Sequence, residues 1–157
     1  MPARQPLSLR GRALALLAQR EQSRLELRRK LLRHLARAEP EADAPEAVVE
    51  AVLDQLAAAG LLSAERFVES RIHARSGRFG ARRIQAELAQ HGLALSAEAA
   101  ATLRGSELDR AAEVRARRFA EPPASVDERA RQGRFLVARG FAPETVHRLM
   151  RGLLGKA

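Results

Sequence analysis

Helix-start residues and helix-stop glycines alternate along this chain, and that punctuation constrains its fold more than any other feature. Ser23 and Glu26 have capping-box spacing, in which each side chain satisfies a free amide of the first helical turn. Leu27, Leu31 and Leu35 follow on one helical face, and Arg29, Arg33 and Arg37 follow on another. Pro45 suits the first turn of the next helix, whose apolar positions are Val48, Val49, Val52, Leu53 and Leu56, and Gly60 suits its end. The cycle recurs. Ser63 starts a helix with Phe67, Val68 and Ile72 that ends near Gly77, and the loop Arg78-Phe79-Gly80 leads to a helix with Ile84 and Leu88 closed by Gly92. Ser96 opens a short helix stopped at Gly105, and Ser106 caps the next, through Leu108, Ala112 and Phe119 to the Pro122-Pro123 break. Ser125 and Glu128 repeat the capping box before Ala130, Leu136, Val137 and Gly140, and Pro143 opens a last helix with Val146, Leu149 and Met150. Ala, Leu, Arg and Glu dominate, β-branched residues are few, and Tyr and Trp are absent, so nothing competes for strand.

The series, with a first helix over 9–20, predicts about nine helices in three groups of three. Leu31, Leu88 and Leu136 each lie three residues before the end of a middle helix, at His34, His91 and Arg139. The third helices open at Ala44-Pro45-Glu46, Ser96-Ala97-Glu98 and Ala142-Pro143-Glu144, with glutamates 52 and 46 residues apart. The expected fold is therefore all-α: an elongated tandem array of three three-helix repeats, with a tail at 1–9 and repeats at 10–60, 61–105 and 106–157.

Charge follows the same rhythm. The formal net charge is +9, from 28 basic and 19 acidic residues. It runs +7 over 1–40, −6 over 41–65, +4 over 66–95, −2 over 96–109 and +6 over 110–157. An Arg-for-Lys bias, with Lys30 and Lys156 the two lysines, does not by itself create excess cation, so a polyanionic partner is expected: nucleic acid or an acidic protein surface. One arginine cluster falls in each repeat. The first is Arg24, Arg28, Arg29, Lys30, Arg33 and Arg37; the second is Arg71, Arg75, Arg78, Arg82 and Arg83. The third is Arg115, Arg117, Arg118, Arg129, Arg131, Arg134 and Arg139. A single such cluster is ordinarily a solvated helix face; recurrence in each repeat points to a shared surface, and guanidinium suits bidentate pairing with carboxylate or phosphate. Phe79, between arginines in a loop, either anchors the core or stacks on a partner.

Catalytic patterns are not found. There is no cysteine, and His34, His73, His91 and His147 never fall within four residues of one another, so neither thiolate chemistry nor a metal site is expected. Gly77 and Gly80 are not followed by the Lys-Ser/Thr of a phosphate loop, and the serines sit at helix starts. The chain is expected to be no enzyme, to need no cofactor, and, lacking an apolar run of membrane or signal-peptide length, to be cytoplasmic.

Four segments then bear a family resemblance: ALALLAQREQSRLELRRKLLRHL at 13–35, GLLSAERF at 60–67, FGARRIQAEL at 79–88, and ERARQGRFLVARGF at 128–141 followed by Pro143-Glu144-Thr145-Val146. Their order and spacing, over about 10–152, resemble the RecX family, bacterial regulators of the recombinase RecA. Phe79 stands where the family commonly has Tyr, keeping the ring and losing the hydroxyl, and Ala81 stands where it often has Pro. The resemblance implies tandem three-helix repeats. It also implies a protein that binds the RecA–DNA filament and inhibits RecA recombinase, ATPase and coprotease functions; a monomer is expected. The partner-binding residues are then expected among Arg24, Arg28, Arg29, Lys30, Arg33, Arg75, Arg78, Arg82, Arg83, Arg117, Arg118, Arg131, Arg134 and Arg139, with direct contacts to single- or double-stranded DNA in addition. The alternative is a DNA-binding protein of helix-turn-helix type, with Arg82, Arg83 and Gln85 reading bases.

Overall fold

The computed structural model describes residues 1, 3 and 5–154; residues 2, 4 and 155–157, at the edges of the expected tail and third repeat, lie outside the described residues. It is all-helical among those residues. The elements are α1 (Leu9–Gln19), α2 (Arg24–Ala38), α3 (Pro45–Ala58), α4 (Ala64–Arg75), α5 (Ala81–Gln90), α6 (Ala97–Arg118), α7 (Val126–Ala138) and α8 (Pro143–Leu154). The chain divides into two compact units, Met1–Phe67 and Val68–Ala157, with the division inside α4.

Local chemistry sets the helix ends. The Ser23 hydroxyl accepts the Glu26 amide at 3.1 Å, and the Glu26 carboxylate accepts the Ser23 amide at 2.9 Å, closing the capping box. The hydroxyls of Ser8, Ser63, Ser96 and Ser125 each accept a first-turn amide as well, without the reciprocal bond among the described residues; Glu128 accepts the Ala124 amide instead of that of Ser125. Gly60, Gly92 and Gly140 end α3, α5 and α7 with φ of 74°, 69° and 91°. In each case the following amide reaches back to a helix carbonyl: Leu61 to Leu56, Leu93 to Leu88, Phe141 to Leu136. These are Schellman stops, which require the left-handed backbone that glycine adopts without strain.

In the first unit, α1, α2 and α3 close over Ala13, Leu27, Leu31, Leu35, Val49, Leu53, Leu56 and Leu62. Val48, expected on the apolar face of α3, points to solvent; Val49, Leu53 and Leu56 already fill the stripe that meets α2. In the second unit, α6 packs against α5, α7 and α8. Ala111, Val114, Leu136, Phe141, Val146 and Met150 form its main core, and Phe79, Ile84, Leu88 and Leu103 are buried as well. Leu31, Leu88 and Leu136 are each 0% exposed, which agrees with their expected equivalence.

Among the described residues eight helices replace the expected nine, because Gly105 and Ser106 do not break the chain. They lie inside the 22-residue α6. Ser106 donates its hydroxyl to the Leu103 carbonyl at 3.3 Å instead of capping a new helix. A glycine inside a helix costs about 1 kcal/mol relative to alanine. The buried stripe Leu103, Glu107, Ala111 and Val114 crosses it without a gap and outweighs that cost.

Candidate partner-binding surface

The surface is built on α6. Arg110, half-buried there, donates from Nη1 to the carbonyls of Ser76 at 2.9 Å and Phe79 at 2.8 Å, and from Nη2 to that of Leu103 at 3.1 Å. Its Nε reaches the Ser106 hydroxyl at 3.0 Å. Burial lowers its pKa, with the Glu107 charge opposing; a guanidinium still keeps its proton. Arg117 donates to the Gly77 carbonyl. The loop 76–80 is thus held by carbonyl-to-guanidinium bonds, and Phe79 is turned into the core with 7% of its surface exposed.

The same loop crosses the α7–α8 turn at backbone distance. The Gly80 amide donates to the Arg139 carbonyl at 2.9 Å and the Arg82 amide to the Gly140 carbonyl at 3.1 Å. A Cβ on Gly80 would lie 2.3 Å from the Gly140 oxygen, and one on Gly140 would lie 2.4 Å from Arg83 Cβ. Only glycine allows this crossing, and it brings arginines far apart in sequence to one place.

They gather on aromatic rings. The Arg83 guanidinium lies 4.3 Å from the Phe79 centroid, Arg78 5.4 Å and Arg139 5.5 Å. Arg139 also lies 5.0 Å from Phe135, which meets Phe119 edge-on at 5.4 Å. Arg118 is 5.1 Å from Phe119 and 5.8 Å from Phe135, and Arg131 is 5.5 Å from Phe119. A ring face holds a guanidinium through its quadrupole without neutralising it. Among the described residues none of these arginines is paired with a carboxylate, nor are the exposed Arg82 and Arg134. Phe79 and Phe119 are almost buried and Phe135 is half-buried, so it is mainly guanidinium that meets solvent. A cavity of about 290 Å³ beside Phe119 is lined by Arg118, Arg131 and Gln132 together with Glu121 and Glu128.

Other expected site residues are engaged elsewhere. Arg24 reaches Glu50 and Asp54 at 2.6 Å each, and Arg28 reaches Glu50 at 2.8 Å. The bonds Arg24 donates to Glu50 and then to Asp54 raise the Arg24 pKa, and those Glu50 accepts from Arg24 and then Arg28 lower that of Glu50. Lys30 donates to the Gln22 side-chain oxygen at 2.9 Å, and Arg75 pairs with Glu87 at 3.1 Å. Arg29 and Arg33 are exposed on α2, with no ion pair among the described residues. Glu107 and Arg110 are not among the residues that charge clustering or capping singles out. A signal for both is nonetheless present: an acid in the inward stripe of α6, followed three residues later by an arginine, marks charges that need buried partners.

Fold and surface together define an all-helical protein that presents guanidinium groups backed by phenylalanine. A family model described as "RecX, third three-helix domain" matches residues 106–150. The chain is 47% identical over 151 residues to the regulatory protein RecX of Ralstonia nicotianae, covering 95% of this chain and 90% of the relative. It is 48% identical over 150 residues to that of Leptothrix cholodnii (94% and 90%) and 43% identical over 152 residues to that of Pseudomonas entomophila (94% and 92%). The chain belongs to the RecX family of regulatory proteins.

Proposed function

We propose that the chain binds the RecA–DNA filament and inhibits the recombinase, ATPase and coprotease activities of RecA, acting as a cytoplasmic monomer without catalysis or cofactor. The observation that carries this reading is the un-neutralised array of Arg78, Arg83, Arg139, Arg118 and Arg131, seated on Phe79, Phe135 and Phe119. A filament of protein and DNA offers both carboxylate and phosphate to such an array, and pre-seated guanidinium groups lose little entropy on pairing. Arg29 and Arg33 of the first unit join the proposed contact, as do Arg82 and Arg134. The division into repeats at 10–60, 61–105 and 106–157 is part of the same proposal. The test is inhibition of RecA ATPase on single-stranded DNA by the wild-type chain and by Arg82→Glu/Arg83→Glu, with helicity recorded for both. Weakened inhibition by the folded variant is expected; undiminished inhibition contradicts the reading.

Direct DNA binding is the second reading, favoured by the exposure of Arg82, Arg83 and Gln85 near the start of α5. Salt separates the two. Binding through about 6–10 duplex phosphates loses roughly 10³–10⁵ in affinity between about 50 and 200 mM salt. Binding to carboxylates and apolar groups of a protein falls less steeply. Naked duplex bound as tightly as the filament, with the steep dependence, would replace the first reading by the second.

A further inference from the structure

Glu107 is a carboxylate with 5% of its surface exposed, placed in the inward stripe of α6. A buried carboxylate is tolerated only when its oxygens are bonded, and both are. One accepts the Ala81 amide at 3.1 Å; the other accepts the Thr145 hydroxyl at 3.0 Å. Ala81 is the first residue of α5, and its N-cap, Gly80, has no side chain to serve that end. Thr145 lies in the first turn of α8. A single carboxylate on one helix therefore grips the starts of two others.

This double grip acts on segments that carry charge. Arg82 and Arg83 come directly after Ala81, and Arg139 lies in the turn just before α8. The Gly80–Gly140 crossing links the two segments by two backbone bonds, from the Gly80 amide to the Arg139 carbonyl and from the Arg82 amide to the Gly140 carbonyl. Those bonds tie the start of α5 to the α7–α8 turn; Glu107 adds an attachment of both helix starts to a third element, α6. We infer that Glu107 is a positioning residue: by binding the Ala81 amide and the Thr145 hydroxyl together it fixes the spacing of Arg82 and Arg83 against Arg139, so that a polyanion meets them as one set. That the set meets a polyanion rests on the proposed function; the positioning itself rests on geometry alone.

The experiment uses the full chain, which has no cysteine of its own. Spin labels go on Gln85→Cys in α5 and Val137→Cys in α7, both exposed positions. The distance distribution between them is read in the wild-type background, in Glu107→Gln and in Glu107→Ala, beside helicity and RecA ATPase inhibition. A glutamine side chain can still accept from Ala81 and, through its amide, donate to Thr145, so Glu107→Gln should keep the wild-type distribution and inhibition. Glu107→Ala should broaden the distribution and weaken inhibition about tenfold, the size of one lost charged contact, at unchanged helicity. Should Glu107→Ala lose helicity, Thr145→Val removes one of the two bonds and should broaden the distribution less. An unchanged distribution in a folded Glu107→Ala, or in Thr145→Val where that stands in, overturns the positioning role. Broadening with undiminished inhibition, while Arg82→Glu/Arg83→Glu does lose inhibition, overturns the link from spacing to function. Broadening with inhibition undiminished in every variant, the arginine pair included, supports positioning and rejects the proposed function instead.

Discussion

In the first unit the arginines that are held, Arg20, Arg24, Arg28 and Arg66, are held by carboxylate; in the second they are held mostly by rings and backbone carbonyls. Arg20 forks onto Glu26 with both bonds at 2.9 Å, Arg24 and Arg28 share Glu50, and Arg66 pairs with Glu21 at 2.9 Å. In the second unit Arg71 and Arg75 share Glu87, but Arg110, Arg115 and Arg117 hold carbonyls, and five more arginines lie over Phe79, Phe119 or Phe135. The two units use the same residue type for different ends. Paired with carboxylate, an arginine ties helices together and its charge is cancelled locally. Seated on a ring, it is held in place with its charge still available to a partner.

Core truncation should give the largest effects and should be alike in the two units. Leu31→Ala and Leu136→Ala each remove a side chain that is 0% exposed and should each cost about 2–5 kcal/mol in denaturant unfolding. A loss below about 0.5 kcal/mol, as at ordinary surface sites, would show that the matched positions are not equivalent core positions.

Glycine substitutions come next and should differ in sign. Gly140→Ala puts a Cβ 2.4 Å from Arg83 at a backbone φ of 91°, and should destabilise by about 1–3 kcal/mol, as overpacking does. Gly105→Ala meets nothing within 4 Å in the middle of α6 and should stabilise by up to about 1 kcal/mol. A destabilising Gly105→Ala would mean that the helix does break there, as the sequence suggests.

The smallest effects concern the ion pairs. Burial pushes the Glu26 carboxyl upward, but the bond from Arg20 and the Ser23 amide outweigh it, and its pKa lies below the usual carboxylate range. A carboxyl with a depressed folded pKa contributes stability above its unfolded value of about 4.3, and that contribution is lost as pH falls through the folded value. Glu26→Gln should therefore be less stable than wild type at neutral pH, with the difference closing as pH falls below about 4. Glu50, lowered by Arg24 and then Arg28, should follow the same course. The arginine–phenylalanine contacts contain no carboxylate and should not respond. A gap between wild type and Glu26→Gln that persists unchanged in acid, followed by helix circular dichroism in denaturant, would contradict this account of the capping box.

Much of the fold was legible in the sequence because capping is local. Ser23 with Glu26, Ser125 with Glu128, and the glycines at 60, 92 and 140 each act within about five residues, so their spacing alone announces the helix ends. Gly105-Ser106 shows where local reading fails: it has the form of a stop and a start, and a buried stripe formed with α5, α7 and α8 overrides it. The arginine clusters were visible as charge, but their partners were not. Nothing near Arg24 in sequence announces Glu50 and Asp54, 26 and 30 residues away, and nothing near Phe79 announces Arg139. Those pairings come from packing, and so does the role of Glu107, whose partners Ala81 and Thr145 lie 26 and 38 residues away on either side.

The claim that the ring-seated arginines, and not the carboxylate-paired ones, face the partner is tested most directly by two variants with the same change of charge. One is Arg83→Gln/Arg139→Gln in the second unit; the other is Arg24→Gln/Arg28→Gln in the first. The measurement is the concentration of each folded variant that half-inhibits RecA ATPase on single-stranded DNA at one fixed salt concentration. The second-unit pair should require about tenfold more protein than wild type, while the first-unit pair stays within about twofold. Equal losses in the two variants, or the larger loss in the first unit, would contradict the claim.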